Sequence, residues 1–87
     1  MATLTAEINN TPLDIVDELS LTNGSKYVVQ NISDEVIKIV EKDSATVDDF
    51  AFTMLPNEYF TITVESEEIS LWTIAPDATA RVVVDTV

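Results

Sequence analysis

The sequence predicts an all-β fold, a small antiparallel β-sandwich or barrel of about seven strands with one short N-terminal helix. Two patterns support this prediction. β-Branched and aromatic residues form short runs of alternating apolar and polar positions, which is typical of strands that bury one face. Turn-forming residues separate these runs every 8 to 12 residues or so, as in sandwiches and barrels. The 87 residues suffice for one domain, 1–87, and not for two.

The central stretch of the prediction is residues 26–42, KYVVQNISDEVIKIVEK. Two runs of β-branched and aromatic residues, 27–32 and 36–40, flank the polar tripeptide Ser33-Asp34-Glu35. This pattern predicts a β-hairpin. The second run carries apolar side chains on both faces. We therefore expect a second sheet or another subunit to cover it on both sides.

The N-terminal part contains a predicted strand and a predicted helix. Residues 2–8 alternate and form the first strand. Thr11 is the N-cap candidate for a short helix over residues 13–19, with Pro12 at its first position. The alternative for residues 13–19 is an irregular strand, because this segment contains β-branched residues. With the helix, residues 1–20 are expected to form an N-terminal arm plus the short helix.

The remaining strands follow the polar loop that ends at Asp49. They are predicted over residues 50–55, 59–65, 69–74 and 80–87. In the first of them Phe50, Phe52 and Met54 share one face. Before the central stretch, Asn23-Gly24 predicts a tight turn, and Gly24 is the only glycine, so its backbone position is expected to require one.

The composition combines 46% hydrophobic residues with a formal net charge of −12. These two facts fit best if the acidic side chains lie on an outer surface and part of the apolar surface is buried between copies of the chain. We therefore expect a homo-oligomer or a docked state; the alternative is a monomer with a well-filled core. The residues expected at the interface are Leu4, Leu13, Ile15, Val36, Val40 and Trp72. Trp72 is interpreted as a core or interface anchor, since Trp is enriched in both places.

The same composition argues against several functions. Four basic residues against sixteen acidic ones disfavour binding to nucleic acid or to anionic membranes. The chain contains neither histidine nor cysteine, so the usual nucleophile pairs and the imidazole or thiolate metal ligands are missing. We expect no enzymatic activity and no cofactor. The first ten residues lack a basic region and a long apolar run, so no signal peptide is expected.

Calcium binding is a better functional interpretation of the acidic residues than catalysis. Asp43, Asp48 and Asp49 lie in one loop and carry hard oxygen ligands. The order D-x-D-x-D-G of an EF-hand loop is absent. The alternative interpretation is a loop that is polar because it lies in water.

Four segments carry a family resemblance: LSLTNGSKYVVQNIS from residue 19, VIKIVEK from residue 36, MLPNEYFTITV from residue 54 and ISLWTIAP from residue 69. Together they resemble small all-β virion structural proteins of tailed bacteriophages. Such proteins have a Thr-Asx-Gly turn, a Tyr-x-Val-Gln-Asn strand, a Leu-Pro-Gly-Glu-like turn and a strand carrying Trp. The match covers residues 19–31, 55–63 and 69–74. Asn57 stands where glycine is usual, and asparagine tolerates the same backbone angles.

The resemblance implies a non-enzymatic virion protein, made in the host cytoplasm, that decorates or stabilises the capsid surface. Its partners would be copies of itself and other virion proteins such as the major capsid protein. A tail- or fibre-associated component is the nearest alternative. A second alternative is an acidic DNA mimic, which would require carboxylates ranked along one face; here they are scattered through turns.

Overall fold

The computed structural model describes residues 3–85 and consists mainly of two antiparallel sheets of four strands each. The strands are β1 Thr3–Ile8, β2 Leu13–Asp14, β3 Lys26–Asn31, β4 Ile37–Glu41, β5 Phe52–Met54, β6 Tyr59–Thr63, β7 Ile69–Trp72 and β8 Ala78–Val84. One helical turn, α1 Ile15–Glu18, follows β2. The first sheet has the order β1-β8-β3-β6 and the second has the order β2-β7-β4-β5. The predicted antiparallel β fold is confirmed, with eight strands in the described range where about seven were expected.

The two sheets pack face to face around one hydrophobic core. Val29 and Val82 of the first sheet and Ile37 and Leu71 of the second are all fully buried in the same cluster. In β1 and β3 the buried positions recur every second residue, as expected for strands that bury one face. In β7 all four residues are buried, because this strand is covered on both faces.

The hairpin predicted within residues 26–42 is wrong. Strand β3 pairs with β6 and β8 in the first sheet, whereas β4 pairs with β5 and β7 in the second. Residues 32–36 therefore cross from one sheet to the other. Each strand has an apolar inner face, and placing the two strands in opposite sheets lets those faces pack against each other. Short connections and polar turn residues fit such a crossing as well as they fit a hairpin, so the local sequence did not distinguish the two.

Asn31 holds this crossing in place and is completely buried. Its Nδ2 donates to the backbone oxygens of Glu35 at 2.6 Å and Met54 at 3.0 Å. Its Oδ1 accepts from the backbone N of Ser33 at 2.9 Å and from Ser33 Oγ at 2.7 Å. The side chain thus binds the end of β3, the crossing and the end of β5 together, and all of its polar atoms are used.

The helix in the structure, Ile15–Glu18, is shorter than the predicted helix over residues 13–19. Leu13 and Asp14 instead form the short strand β2, which pairs with Leu71 and Ser70 of β7. The N-cap is Asp14 and not Thr11, because Asp14 Oδ1 accepts from Val16 N at 3.0 Å. Pairing with a buried strand outweighs the weak helical preference of this segment, since local propensities amount to only a few tenths of a kcal/mol per residue.

Several predicted strand ends also differ from the structure. Predicted strand 50–55 is reduced to β5, and 69–74 ends at Trp72. The last strand begins two residues earlier than predicted, at Ala78, and ends at Val84. Residues 2, 86 and 87, which the predictions placed in strands, lie outside the described residues.

The structure confirms both backbone positions that were expected to favour glycine. Gly24 has a φ of +89° and Asn57 has a φ of +71°. Both angles lie in the left-handed region, which glycine adopts freely and asparagine tolerates better than most residues. Asn57 therefore occupies a backbone position at which glycine is favoured.

Replacing Asn31 by alanine should lower the free energy of unfolding by about 2–4 kcal/mol, because it leaves a cavity and several buried backbone groups without partners. Urea denaturation of the wild type and of Asn31→Ala measures this loss. Asn10→Ala, at an exposed asparagine, is the matched control and should change the free energy by no more than about 0.5 kcal/mol. Equal losses in the two variants would contradict the role given to the buried amide.

Candidate interaction surface

An aromatic cluster lies where the outer strands of the two sheets come together. Strand β5 is an outer strand of the second sheet and β6 is an outer strand of the first. The rings of Phe52 on β5 and Phe60 on β6 have centroids 6.1 Å apart. Phe50 packs edge-to-face on Phe52 at 5.8 Å. All three phenylalanines of the chain thus form one cluster, here called the aromatic patch.

The aromatic patch is largely in contact with solvent. Phe50 is 83% exposed and Phe52 is 61% exposed, whereas Phe60 is half-buried and packs against the core. Each ring offers a large apolar area that would gain free energy by leaving water. Single exposed apolar side chains are common, but a contiguous group of them marks an interaction surface.

A groove runs beside the aromatic patch, between β6 and the second sheet. Its apolar lining includes Ile39, Phe52, Phe60, Ile62 and Ile69, and Thr61 and Thr63 also belong to it. It follows from the strand order: β6 has no strand beyond it in the first sheet, and β5 is only three residues long in the second. Phe60 and Ile62, which face inward from β6, are therefore only half-buried at this edge.

One end of the groove is acidic. Glu41 and Glu65 belong to its lining. Partial burial raises the pKa of Glu41 above its ordinary value, and the nearby carboxylates of Glu65 and Glu67 raise it further. The cause of the second effect is repulsion between like charges. This end of the groove favours a cation over a second carboxylate.

The structure separates the six residues that were predicted for an interface. Ile15 and Trp72 are buried inside the protomer, at 0% and 3% exposure. Leu4 and Leu13 are half-buried on β1 and β2, the outer strands on the side opposite to the aromatic patch. Val36 and Val40 are half-buried before and on β4. Their role in contacts between chains stays a prediction.

The expected cover on both faces of β4 is provided in part by the chain itself. Ile37 and Ile39 face the first sheet and are buried, while Lys38 and Val40 on the outer face are half-buried. Val47 of the following loop lies at one groove with Lys38 and Trp72.

The acidic loop uses two of the proposed calcium ligands for its own structure. Asp43 Oδ1 accepts from Glu68 N at 2.8 Å. Asp49 accepts from Lys42 Nζ at 2.6 Å and from Thr46 N at 2.8 Å. The hydrogen bond from Lys42 is the main cause that lowers the pKa of Asp49. Within residues 3–85, no three acidic side chains converge in a way that could hold a metal ion.

Comparisons of the chain with protein-family models, curated proteins and solved structures find no match. Among the described residues, the helix is too short and too polar to cross a membrane.

The sequence patterns missed the exposure of the aromatic patch. Alternation correctly places Phe52 and Met54 on one face of β5, but Met54 is fully buried whereas Phe52 is mostly exposed. The difference arises because the first sheet does not extend far enough to cover Phe52. The clustering of all three phenylalanines within residues 50–60 is the signal in the sequence that points to this site.

Replacing Glu41 by glutamine should stabilise the protein at pH 7. Because the folded state holds a proton on Glu41 to a higher pH than the unfolded chain, stability falls as pH rises from the ordinary value of 4.5 through the raised pKa. The Glu41→Gln variant lacks this fall. Since the side chain is largely exposed and screened, the gain at pH 7 should be no more than about 0.5 kcal/mol.

Urea denaturation at low salt, at several pH values between 4.5 and 7.5 or so, measures this dependence. Glu35→Gln, at an exposed glutamate on the crossing, is the control and should follow the wild-type profile. A Glu41→Gln profile parallel to that of the wild type would show that neither the burial of Glu41 nor the repulsion from its neighbours affects folding.

Proposed function

We propose that the protein is a non-enzymatic structural component of a tailed-phage virion that attaches to the capsid surface through the aromatic patch. The observation that carries this proposal is the exposure of Phe50 and Phe52 in one contiguous cluster. The resemblance of residues 19–31, 55–63 and 69–74 to small virion proteins supplies the setting.

The binding free energy in this proposal comes from apolar burial. Moving one phenylalanine side chain from water into an apolar contact contributes roughly 1.5–3 kcal/mol. A patch of three rings, one of them already half-buried, supports a contact of modest affinity after the cost of association. On a particle that presents many identical sites, such contacts gain strength whenever copies are also linked to each other.

Copies of the same chain are the second class of partner in the proposal. Leu4 and Leu13 lie on the side of the sandwich opposite to the aromatic patch. Contacts between copies at that side would therefore leave the patch free for the capsid. The formal charge of −12 acts against close packing of copies, so the contacts must be local and the remaining acidic surface must face solvent.

Attachment to a tail or fibre would use the same patch and the same physics, and differs only in which virion protein supplies the complementary surface. The acidic DNA mimic makes a different demand, since it needs its carboxylates free and aligned. Asp43, Asp49, Glu58 and Glu68 instead accept hydrogen bonds from backbone groups of the chain itself. This use of the acids favours the structural role.

Cosedimentation with capsids purified from the phage that encodes the chain tests the proposal. The double variant Phe50→Ser/Phe52→Ser should bind at least about tenfold more weakly, because two contact residues are lost at 1 kcal/mol or more each. Ile74→Ser is the matched control, since Ile74 is 90% exposed and lies outside the patch. It should bind like the wild type.

Thermal unfolding should show that the double variant remains folded, as both rings are mainly in solvent. Absence of wild-type binding to capsids and to purified tails, or equal binding by the double variant, would refute the proposal. Competition of the wild type with DNA for a DNA-binding enzyme would identify the mimic instead.

A further inference from the structure

Strand β6 leaves one side of its backbone unpaired in its sheet. Hydrogen bonds from Asn31 N to Glu58 O and from Val64 N to Ser25 O lie at the two ends of the β3–β6 ladder. Because hydrogen-bonded positions alternate along an antiparallel pair, the even-numbered residues of β6 bond to β3. Tyr59, Thr61 and Thr63 therefore direct their backbone N–H and C=O groups outward, and all three residues are exposed.

This edge also lacks the features that protect exposed strands. Native edge strands are blocked by charged residues, by proline or by being very short. Among the outer strands of residues 3–85, β2 and β5 have two and three residues, and β1 carries Glu7. Strand β6 has five residues, Tyr-Phe-Thr-Ile-Thr, with no charge and no proline. It is the outer strand best suited to pair with another chain.

The surroundings of β6 define the side chains that an added strand would need. The inward-facing side chains of the added strand would enter the groove formed by Ile39, Phe52 and Ile62, which favours apolar side chains. Beside the C-terminal end of β6, the inward-facing side chains of the added strand would meet Glu41 and Glu65. The described basic residue nearest in the ladder, Lys26, pairs with Thr63 and lies on the outer face of the sheet, away from the groove.

We propose that the β6 edge binds an extended segment of a partner protein as a fifth strand, with apolar side chains in the groove and a Lys or Arg facing Glu41 and Glu65. This inference rests on the proposed function, because it names the chemistry of the virion segment that the surface accepts. Main-chain hydrogen bonds would give affinity, and the groove would give specificity.

A second copy of this chain is the poorer occupant. Strand β6 of another copy carries no cation that could face the two glutamates. Two copies would also bring together formal charges of −12 each, whereas a basic segment is attracted.

Titration with two synthetic peptides, followed by NMR, tests the inference. Each peptide has about seven residues. In both peptides every second residue is a threonine that would face solvent. The residues between them would face the groove and are two valines followed by one charged residue, which is lysine in the first peptide and glutamate in the second. The lysine peptide should bind more tightly, shift the amide signals of Thr61 and Thr63, and slow their hydrogen exchange.

Three variants separate the parts of the inference. Thr61→Pro removes the outward N–H without touching the ladder to β3, and should weaken binding of the lysine peptide by at least about fivefold. Thr61→Ala keeps that N–H and should bind like the wild type. Glu41→Gln/Glu65→Gln should weaken binding about threefold at low salt, and this difference should vanish at high salt.

Equal affinity for the two peptides, or unchanged binding by Thr61→Pro, would overturn the inference. So would dimers of the wild type with protected amides at residues 59–63, since the occupant would then be a second copy.

Capsid cosedimentation keeps the two proposals distinguishable. If Thr61→Pro binds capsids like the wild type while Phe50→Ser/Phe52→Ser does not, the proposed function stands and the strand addition fails. If the chain binds the lysine peptide tightly but binds no virion component, the strand addition stands and the proposed function fails.

Discussion

The buried side chain of Asn31 is the constraint on which the architecture depends. At this residue the chain leaves the first sheet and enters the second, so the ladder hydrogen bonds that a hairpin would provide are lost. Backbone groups buried at such a crossing need other partners, because leaving them unpaired costs more than a single hydrogen bond gains. The Asn31 amide supplies both donors and acceptors, and joins the crossing to β5 through Met54. Thr73 repeats the device nearby, since its Oγ1 donates to Val36 O at 2.7 Å.

The crossing also determines which strands become neighbours across the core. With β3 in the first sheet and β4 in the second, their respective partners β6 and β5 become outer strands of different sheets, on the side where Phe52 meets Phe60. Phe60 and Phe52 are thereby brought within contact distance although they belong to different sheets. The first sheet leaves Phe52 mostly uncovered, at 61% exposure. The aromatic patch is thus a consequence of the topology, and its exposure follows from where the first sheet ends.

The acidic residues divide between structural and unpaired roles. Asp14 caps α1 and accepts from Ile69 N, and Asp43 and Asp49 order the long loop. Glu41, by contrast, lies at the end of the groove, where partial burial and then the neighbouring carboxylates of Glu65 and Glu67 raise its pKa. The contrast is physical, since local hydrogen bonds stabilise a carboxylate whereas neighbouring carboxylates destabilise it. Surplus negative charge beside apolar surface distinguishes this edge from the loop.

The sequence by itself determined the secondary structure class, the alternation that buries Ala6, Ile8 and Val29, and the turn positions at Gly24 and Asn57. These features depend on local chemistry, namely β-branched side chains and backbone angles. Only the tertiary structure decided that residues 32–36 cross between sheets, that Leu13 and Asp14 pair with β7, and that Phe52 is exposed where Met54 is buried. Each of these three features depends on which distant segment of the chain packs against the residue. The local sequence pattern of a strand is the same whichever sheet its partner strand belongs to.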